Sequence, residues 1–133
     1  MSEIIRVRDV MNTEIMLVNG KDTLQDDLKK MRESSSRVLI VDKRHEDDEY
    51  GIVCMADIAK KVIAQDKSPE RINIYEVMSK PAMCVKDSMD VRYCARLFHQ
   101  FHLHTAPVSD DQGVIVGVVG YDDMVFRGLM KDL

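Results

Sequence analysis

The chain has 133 residues, of which 45% are hydrophobic and 32% are charged. This length suits one globular module, and the apolar content is high enough for a core, which excludes a wholly disordered chain. The formal net charge of -4 gives no general attraction to phosphate backbones, and the longest apolar run, residues 114–120, is far too short to span a bilayer. Binding to nucleic acid or to a membrane is therefore not expected.

The first half of the chain predicts a helical turn followed by a strand, a helix, two strands and a helix. In the longer helix, Leu24, Leu28 and Met31 share one face at helical spacing. Asp22 is expected to cap this helix, with Gln25 at the third helical position completing a capping box. The other predicted bounds are 7–12 for the turn, 15–18, 38–41 and 51–55 for the strands, and 56–65 for the final helix.

The second half predicts the same order of elements. Here Ser88 is the expected cap, and Val91, Cys94, Ala95 and Phe98 form the apolar stripe of the longer helix. The remaining predicted bounds are 74–79 for the turn, 82–85, 105–108 and 114–119 for the strands, and 122–130 for the final helix.

The two halves also match residue by residue. The stretch Arg8-Asp-Val-Met11 returns as Tyr75-Glu-Val-Met78, an offset of 67 residues. The stretch that begins with Gly51-Ile-Val returns as Gly117-Val-Val, an offset of 66 residues. The second half has therefore lost one residue in the preceding loop, and the chain is an internal repeat.

A half of about 66 residues with three short strands is marginal by itself. We therefore expect an α/β (α+β) fold in which two β-α-β-β-α repeats, related by a pseudo-twofold axis, pack their sheets face to face. Such symmetry predicts two equivalent crevices. The predicted bounds are 7–66 for the first repeat, 67–73 for the linker and 74–133 for the second repeat.

This doubled pattern resembles a pair of CBS domains, also called a Bateman module. The resemblance is carried by Asp9-Val-Met11 and Glu76-Val-Met78, by the strand that ends at Asp42, and by the two glycine-led stretches that reach Asp57-Ile58 and Asp123-Met124. It covers nearly the whole chain, so a free-standing module is expected. Many members of this family are regulatory parts that bind adenosyl ligands in the clefts between the repeats.

The resemblance also implies which residues would hold such a ligand. Asp57 and Asp123, each at the start of a final helix, would accept hydrogen bonds from the two ribose hydroxyls, because a carboxylate has two acceptor oxygens. Each Asp could equally serve as a helix cap, and this structural interpretation stays open. The residues expected to contact the base are Asn12, Thr13, Ile15 and Val118 beside Asp123, and Lys80, Pro81, Ala82 and Ile52 beside Asp57.

Phosphate contacts are implied for Arg37, Lys80 and His104. Arg37 and His104 stand at the start of the second strand of each repeat, and a solvated side chain at a strand end is the alternative interpretation of Arg37. The family often places a hydroxyl three residues before the ribose Asp. Here Cys54 and Gly120 stand at those positions, a departure that bears directly on phosphate binding.

Three further features have a structural and a functional interpretation. His99, His102 and His104 lie close in sequence, and a metal-responsive site is the alternative to a structural role. The charged run 42–49 is typical of a solvated hairpin loop, with docking of a partner as its alternative. Methionines recur at matched positions and are predicted to pack in the core, namely Met11, Met16, Met78 and Met83.

The cysteines indicate a reducing environment. Cys54, Cys84 and Cys94 show no Cys-x-x-Cys spacing, which favours free thiols in a cytoplasmic protein over a disulfide between Cys84 and Cys94. The sequence contains none of the common nucleophile, zinc, phosphate-loop or dinucleotide motifs, and burial would make Cys54 a poor nucleophile. No enzymatic activity is expected.

The sequence therefore predicts a regulatory module with no required cofactor. Its expected ligands are AMP, ADP, ATP, S-adenosylmethionine or NAD, and its output would pass through dimer geometry or an unidentified protein effector. A homodimer is expected, formed by helix faces that hold Leu28, Met31, Ile58 and Val62 and their counterparts. The alternative is a ligand-free scaffold that dimerises and docks a partner.

Overall fold

The computed structural model describes residues 3–133, which form two compact units. Unit 1 contains the described residues up to Thr13 together with Met83–Leu133, and unit 2 contains Glu14–Ala82. Each unit has one three-stranded sheet with helices, so the predicted mixed α/β class is confirmed. The order strand, helix, strand, strand, helix occurs in both units, as the repeated sequence predicts.

The bounds of the elements are as follows. The helices are α1 (Val7–Val10), α2 (Leu24–Arg32), α3 (Met55–Ile58), α4 (Val91–Phe101) and α5 (Tyr121–Asp123). Two π-helical turns, Ala59–Ile63 and Met124–Gly128, continue α3 and α5, and 3-10 turns cover Pro69–Arg71, Ile74–Glu76 and Leu129–Asp132. The strands are β1 (Leu17–Val18), β2 (Leu39–Val41), β3 (Gly51–Val53), β4 (Val85–Lys86), β5 (Thr105–Ser109) and β6 (Ile115–Gly120).

Each sheet has a central strand with one parallel and one antiparallel neighbour. In unit 2, Ile40 of β2 faces Leu17 of parallel β1 and Ile52 of antiparallel β3. In unit 1, β5 pairs in the same way with parallel β4 and antiparallel β6. The parallel pairs require a crossover, which α2 and α4 supply. All of β2 is buried, which accounts for its continuous apolar sequence.

Both predicted helix caps were wrong. The hydroxyl of Thr23, not Asp22, accepts the hydrogen bond from the backbone N of Asp26 at 3.2 Å. In the second half the cap is Asp90, not Ser88, and its carboxylate accepts from the backbone N of Arg92 at 2.9 Å. Each helix therefore starts one or two positions later than predicted, because these nearer side chains satisfy the exposed amides of the first turn.

Each unit has its own core, and each core includes a segment from outside the sheet-bearing repeat. Ile72, Ile74 and Val77 follow the first repeat yet belong to the core of unit 2. Ile5, Val7 and Val10 precede β1 yet belong to the core of unit 1. The helical turn at the start of each repeat is therefore packed in the unit built on the other repeat's sheet. The bounds 7–66, 67–73 and 74–133 stay a prediction for the repeats.

The repeated methionine and glycine positions meet in both units. A Cβ atom at Gly117 would lie 2.6 Å from Met11 Sδ, and one at Gly51 would lie 2.8 Å from Met78 Sδ. Only glycine admits these side chains so close to the strand. Met11, Met16 and Met78 pack against the cores as predicted, but Met83 is 40% exposed, so its assignment to the core was wrong.

Candidate ligand-binding sites

Asp57 lies at the third position of α3, directly after β3. Its Oδ2 accepts hydrogen bonds from the backbone N of Cys54 at 2.9 Å and from Cys54 Sγ at 3.0 Å. The carboxylate therefore caps its own helix, in line with the structural interpretation of this residue. The cap uses Oδ2, so Oδ1 is the oxygen with capacity for a ligand hydroxyl.

Lys61 is a cation beside Asp57 that the sequence analysis missed. Its Nζ lies 3.8 Å from Asp57 Oδ1 and donates a hydrogen bond to the carbonyl O of Val77 at 3.1 Å. The signal was present in the sequence, because a cation follows each aspartate by four residues. Arg127 occupies the matched position in the second repeat.

Asp123 has the same arrangement in unit 1. Its Oδ2 accepts a hydrogen bond from the backbone N of Gly120 at 2.8 Å. Burial raises the pKa of this carboxyl group above its usual range, and the charge of Asp122 adds to the rise. Arg127 donates from Nη1 to the carbonyl O of Met11 at 3.1 Å. Each aspartate thus combines a helix cap, a cation four residues later, and an adjoining backbone segment held by that cation.

In unit 2, the segment predicted to contact the base lies along the edge of the sheet. Ile52 exchanges two backbone hydrogen bonds of 2.9 Å with Ser79, and the N of Ala82 donates to the carbonyl O of Tyr50 at 2.7 Å. Residues 79–82, which include Lys80 and Pro81, therefore run beside β3. Since β3 leads directly into α3, the predicted base contacts and the ribose aspartate belong to one continuous structure.

Unit 1 repeats this pairing. Asn12 and Val118 exchange two backbone hydrogen bonds of 2.8 and 2.9 Å, which places Asn12 and Thr13 beside β6. β6 leads into α5 and Asp123. Ile15, predicted for the same site, belongs to unit 2, and its part in ligand binding stays a prediction.

The three predicted phosphate contacts have different surroundings. Arg37 is exposed and makes no hydrogen bond or ion pair to the residues that the structure describes. His104 is exposed, and its ring meets Tyr121 edge-on at 6.0 Å between centroids. Lys80, in contrast, is held by Asp48, with Nζ 2.8 Å from the carboxylate. Their role in binding phosphate stays a prediction.

Asp27 is a buried charge that the sequence analysis did not single out. It lies on the inner face of α2 among Leu24 and Met31, is 0% exposed, and neither carboxylate oxygen has a hydrogen-bond partner. Lys30 Nζ lies 3.7 Å from Oδ1. Burial, together with the neighbouring Asp22, raises the pKa of Asp27 to about 6 from 3.8. Its position on the apolar face at helical spacing was the available signal.

The cysteines are all free, so the alternative disulfide between Cys84 and Cys94 is not formed. Cys94 is buried, which raises the pKa of its thiol to about 11. Burial also raises the pKa of Cys54, and its hydrogen bond to the Asp57 carboxylate adds to the rise. Neither thiol is therefore an activated nucleophile at neutral pH.

The histidines do not converge. His99 lies in the last turn of α4, and His102 adopts a left-handed conformation that ends the helix. Over residues 3–133, no group of three or more His, Cys, Asp or Glu side chains is placed to hold a metal ion. In the same part of the chain, no helix has both the length and the apolar character needed to cross a membrane.

An apolar groove of about 210 Å³ lies on unit 1 between α4 and the helical turns that follow β6. Ala95, Tyr121, Val125 and Leu129 line it, and Leu129 is 60% exposed. The helix faces predicted for dimerisation are different. Met31 and Val62 belong to the core of unit 2, so the prediction that they present an exposed face was wrong, as the list Leu28, Met31, Ile58 and Val62 contains only packed residues.

Comparison with solved structures gives close matches to the fold. The hexameric CBS-CP12 protein from bloom-forming cyanobacteria is 33% identical, with a TM-score of 0.91 over 100% of this chain and 77% of that chain. The CBS domain pair of protein MJ0100, solved in complex with 5-methylthioadenosine and S-adenosyl-L-methionine, is 22% identical, with a TM-score of 0.81 over 98% of this chain and 100% of that chain. The second likeness concerns the fold alone.

Sequence comparison identifies a relative and a family. Uncharacterized protein MK0525 of Methanopyrus kandleri is 27% identical over 122 residues, which are 91% of this chain and 61% of that protein. The chain thus spans less than two thirds of this relative's length. The family model of the CBS domain matches residues 7–64 and again residues 74–128. Because these two matches cover most of the sequence, the chain belongs to the CBS-domain family and contains two CBS domains.

Proposed function

We propose that this chain is a regulatory module that binds an adenosyl ligand at Asp57, at Asp123, or at both. The ribose hydroxyls would donate to the carboxylate oxygen that the helix cap leaves over. The observation that carries this proposal is the matched arrangement of the two aspartates. Each sits beside a cation and leads from a strand whose edge is paired with the segment assigned to the base.

The comparisons support the ligand class. The CBS domain pair of MJ0100 was solved with 5-methylthioadenosine and S-adenosyl-L-methionine, both of which carry adenosine. A base beside residues 79–82 or 12–13 would meet backbone N–H and C=O groups, which recognise the edge of a purine by hydrogen bonding. Arg37, Lys80 and His104 are the candidates for any phosphate, and ligands with and without phosphate belong in the first experiment.

Thermal unfolding with adenosine, 5-methylthioadenosine, S-adenosylmethionine, AMP, ADP, ATP and NAD tests this proposal. A ligand at about 100 times its Kd stabilises the folded state by about 2.7 kcal/mol. For a chain of this size the midpoint should rise by roughly 8 to 12 °C. In the variants Asp57→Asn and Asp123→Asn, we expect Kd for the stabilising ligand to rise about tenfold in the occupied site, because a charge-assisted hydrogen bond is lost.

The Asn variants are chosen because the amide oxygen still accepts the bond that caps the helix, so stability is kept. Asp111→Asn, an exposed carboxylate in the β5–β6 loop, is the matched control and should leave Kd unchanged. If no compound of the series shifts the midpoint of the folded protein, the adenosyl proposal is wrong. That outcome would favour the ligand-free scaffold, with which Cys54 and Gly120 in place of hydroxyls agree.

We further propose that the module works as a homodimer that buries the apolar groove of unit 1. Leu129 is 60% exposed and Phe126 is 66% exposed on the turns beside this groove. Exposed apolar side chains gathered on one face are typical of an interface. The CBS-CP12 relative, at 33% identity, is hexameric, which supports self-association as the way this surface is covered.

The molar mass in solution tests the dimer. We expect the parent chain to have twice the monomer mass by light scattering, and Leu129→Glu to have the monomer mass, because a charge would be buried without a partner. Val114→Glu is the control, since Val114 is 54% exposed in the β5–β6 loop and far from the groove in sequence. A parent chain of monomer mass, or a Leu129→Glu variant that still dimerises, would contradict the proposal.

A further inference from the structure

The charged loop 42–50 ends in a nearly buried carboxylate. Asp48 has a side chain that is 8% exposed, and it is surrounded by donors. Lys80 Nζ lies 2.8 Å away, and Arg44 donates from its backbone N at 2.9 Å and from Nε at 3.0 Å. The Arg44 guanidinium and the Lys80 ammonium hold the pKa of the Asp48 carboxyl well below its usual range. Asp48 is therefore ionised and fully engaged at neutral pH.

Its partner Lys80 belongs to the segment 79–82 that runs beside β3 and towards the Asp57 site. Lys80 is the cation of this segment, yet its side chain is only 22% exposed and its ammonium is paired with Asp48. Lys61, the cation next to Asp57, is likewise engaged by the carbonyl O of Val77 at 3.1 Å. Both ammonium groups near the Asp57 site thus have their charge or donors satisfied by the protein.

The second repeat has no such arrangement. The position matched to Lys80 is Thr13, and the loop between β5 and β6 is one residue shorter than that between β2 and β3. Its carboxylate, Asp110, accepts from the backbone N of Gln112 at 2.9 Å and of Val114 at 3.0 Å, so it only closes a local turn. The longer first loop is what brings a carboxylate to the segment beside β3.

We infer that Asp48 sets the ligand selectivity of the Asp57 site, so that this site takes an adenosyl compound without a phosphate group. A phosphate that used Lys80 would have to break an ion pair of 2.8 Å and would then face the displaced carboxylate. An uncharged nucleoside makes neither demand. This inference rests on the proposed adenosyl function and narrows it to one ligand class at one site.

Isothermal titration with adenosine and with AMP tests the inference. The variant Asp48→Asn keeps the shape of the side chain and an acceptor oxygen, but it removes the charge that neutralises Lys80. We expect the parent chain to bind adenosine more tightly than AMP. In Asp48→Asn, Kd for AMP should fall about tenfold while Kd for adenosine stays unchanged. Asp47→Asn, an exposed neighbour in the same loop, is the control and should change neither Kd.

The outcomes separate the two proposals. If adenosine binds and Asp48→Asn gains no affinity for AMP, the inference on Asp48 is wrong and the adenosyl function stands. If neither compound binds the parent chain or Asp48→Asn, both proposals are wrong. A readout without ligand is the rate at which an acetylating reagent modifies Lys80, followed by peptide mass spectrometry. This rate should rise in Asp48→Asn, and an unchanged rate would overturn the pairing as a control on Lys80.

Discussion

The variant Asp27→Ala is expected to be more stable than the parent chain by roughly 2 to 3 kcal/mol at neutral pH. Such a gain is unusual for a core substitution, most of which destabilise. The reason is that the Asp27 side chain is 0% exposed and neither of its oxygens has a hydrogen-bond partner. The matched position of the second repeat is Cys94, which is also buried but carries no charge at neutral pH.

The same residue predicts how stability depends on pH. The pKa of Asp27 is about 6 in the folded chain and is raised from 3.8 mainly by burial. Between these values the folded state holds the proton more tightly than the unfolded state. The Asp27 contribution to stability therefore falls as pH rises from about 4 to 6, and the loss is complete above the folded pKa.

Urea unfolding of the parent chain and of Asp27→Ala at several pH values measures both effects. The variant should lack the part of the pH slope that Asp27 supplies between about pH 4 and 6. Asp26→Ala is the matched control, because Asp26 is the exposed neighbour on α2, and it should keep that slope. A variant of Asp27 that is less stable at neutral pH, or that keeps the full slope, would show that the buried carboxylate carries no penalty.

The variant Phe98→Ala is expected to lose about 3 to 5 kcal/mol of unfolding free energy. Phe98 is the largest of the side chains that unit 1 buries completely, and its ring meets Tyr121 edge-on at 5.4 Å between centroids. Truncation would leave a cavity beneath α4 that the short strands cannot close. Tyr121 in turn contacts His104, so the loss should also loosen the surroundings of Asp123.

Chemical denaturation compared with Phe101→Ala measures this prediction. Phe101 lies on the same helix but is 47% exposed, so its truncation should cost far less. Because a loss of 3 to 5 kcal/mol is a large share of the stability of most domains, roughly 5 to 15 kcal/mol, Phe98→Leu serves as a milder variant if Phe98→Ala does not fold. Equal losses for Phe98→Ala and Phe101→Ala would mean that this core does not support unit 1.

The two proposals on ligand binding make different demands on the chain. The ribose aspartates need one carboxylate oxygen outside the helix cap, which the bonds from Cys54 and Gly120 to Oδ2 permit. Selectivity against phosphate needs a charge that comes from a different part of the sequence. Asp48 supplies it across 32 positions of the chain, through a loop present in this length only in the first repeat.

Much of the fold followed from local pattern. Apolar periodicity placed α2 and α4, the offset of 67 residues predicted the doubled order of elements, and the glycine-led stretches located Asp57 and Asp123 at their helix starts. These features depend on neighbours within a few residues, or on comparison of one half with the other, and both can be read from the chain itself. The caps at Thr23 and Asp90 were missed because several adjacent side chains were competent to cap.

Other properties arise only where distant segments meet. The pairing of Lys80 with Asp48, the burial of Asp27, and the close approach of Met11 to Gly117 each depend on which segments the folded units bring into contact. So does the placement of Ile74 in the core of unit 2, and of Val7 in the core of unit 1. The physical reason is that burial and ion pairing depend on three-dimensional neighbours, whereas residue type and spacing constrain only the local conformation and the face on which a side chain lies.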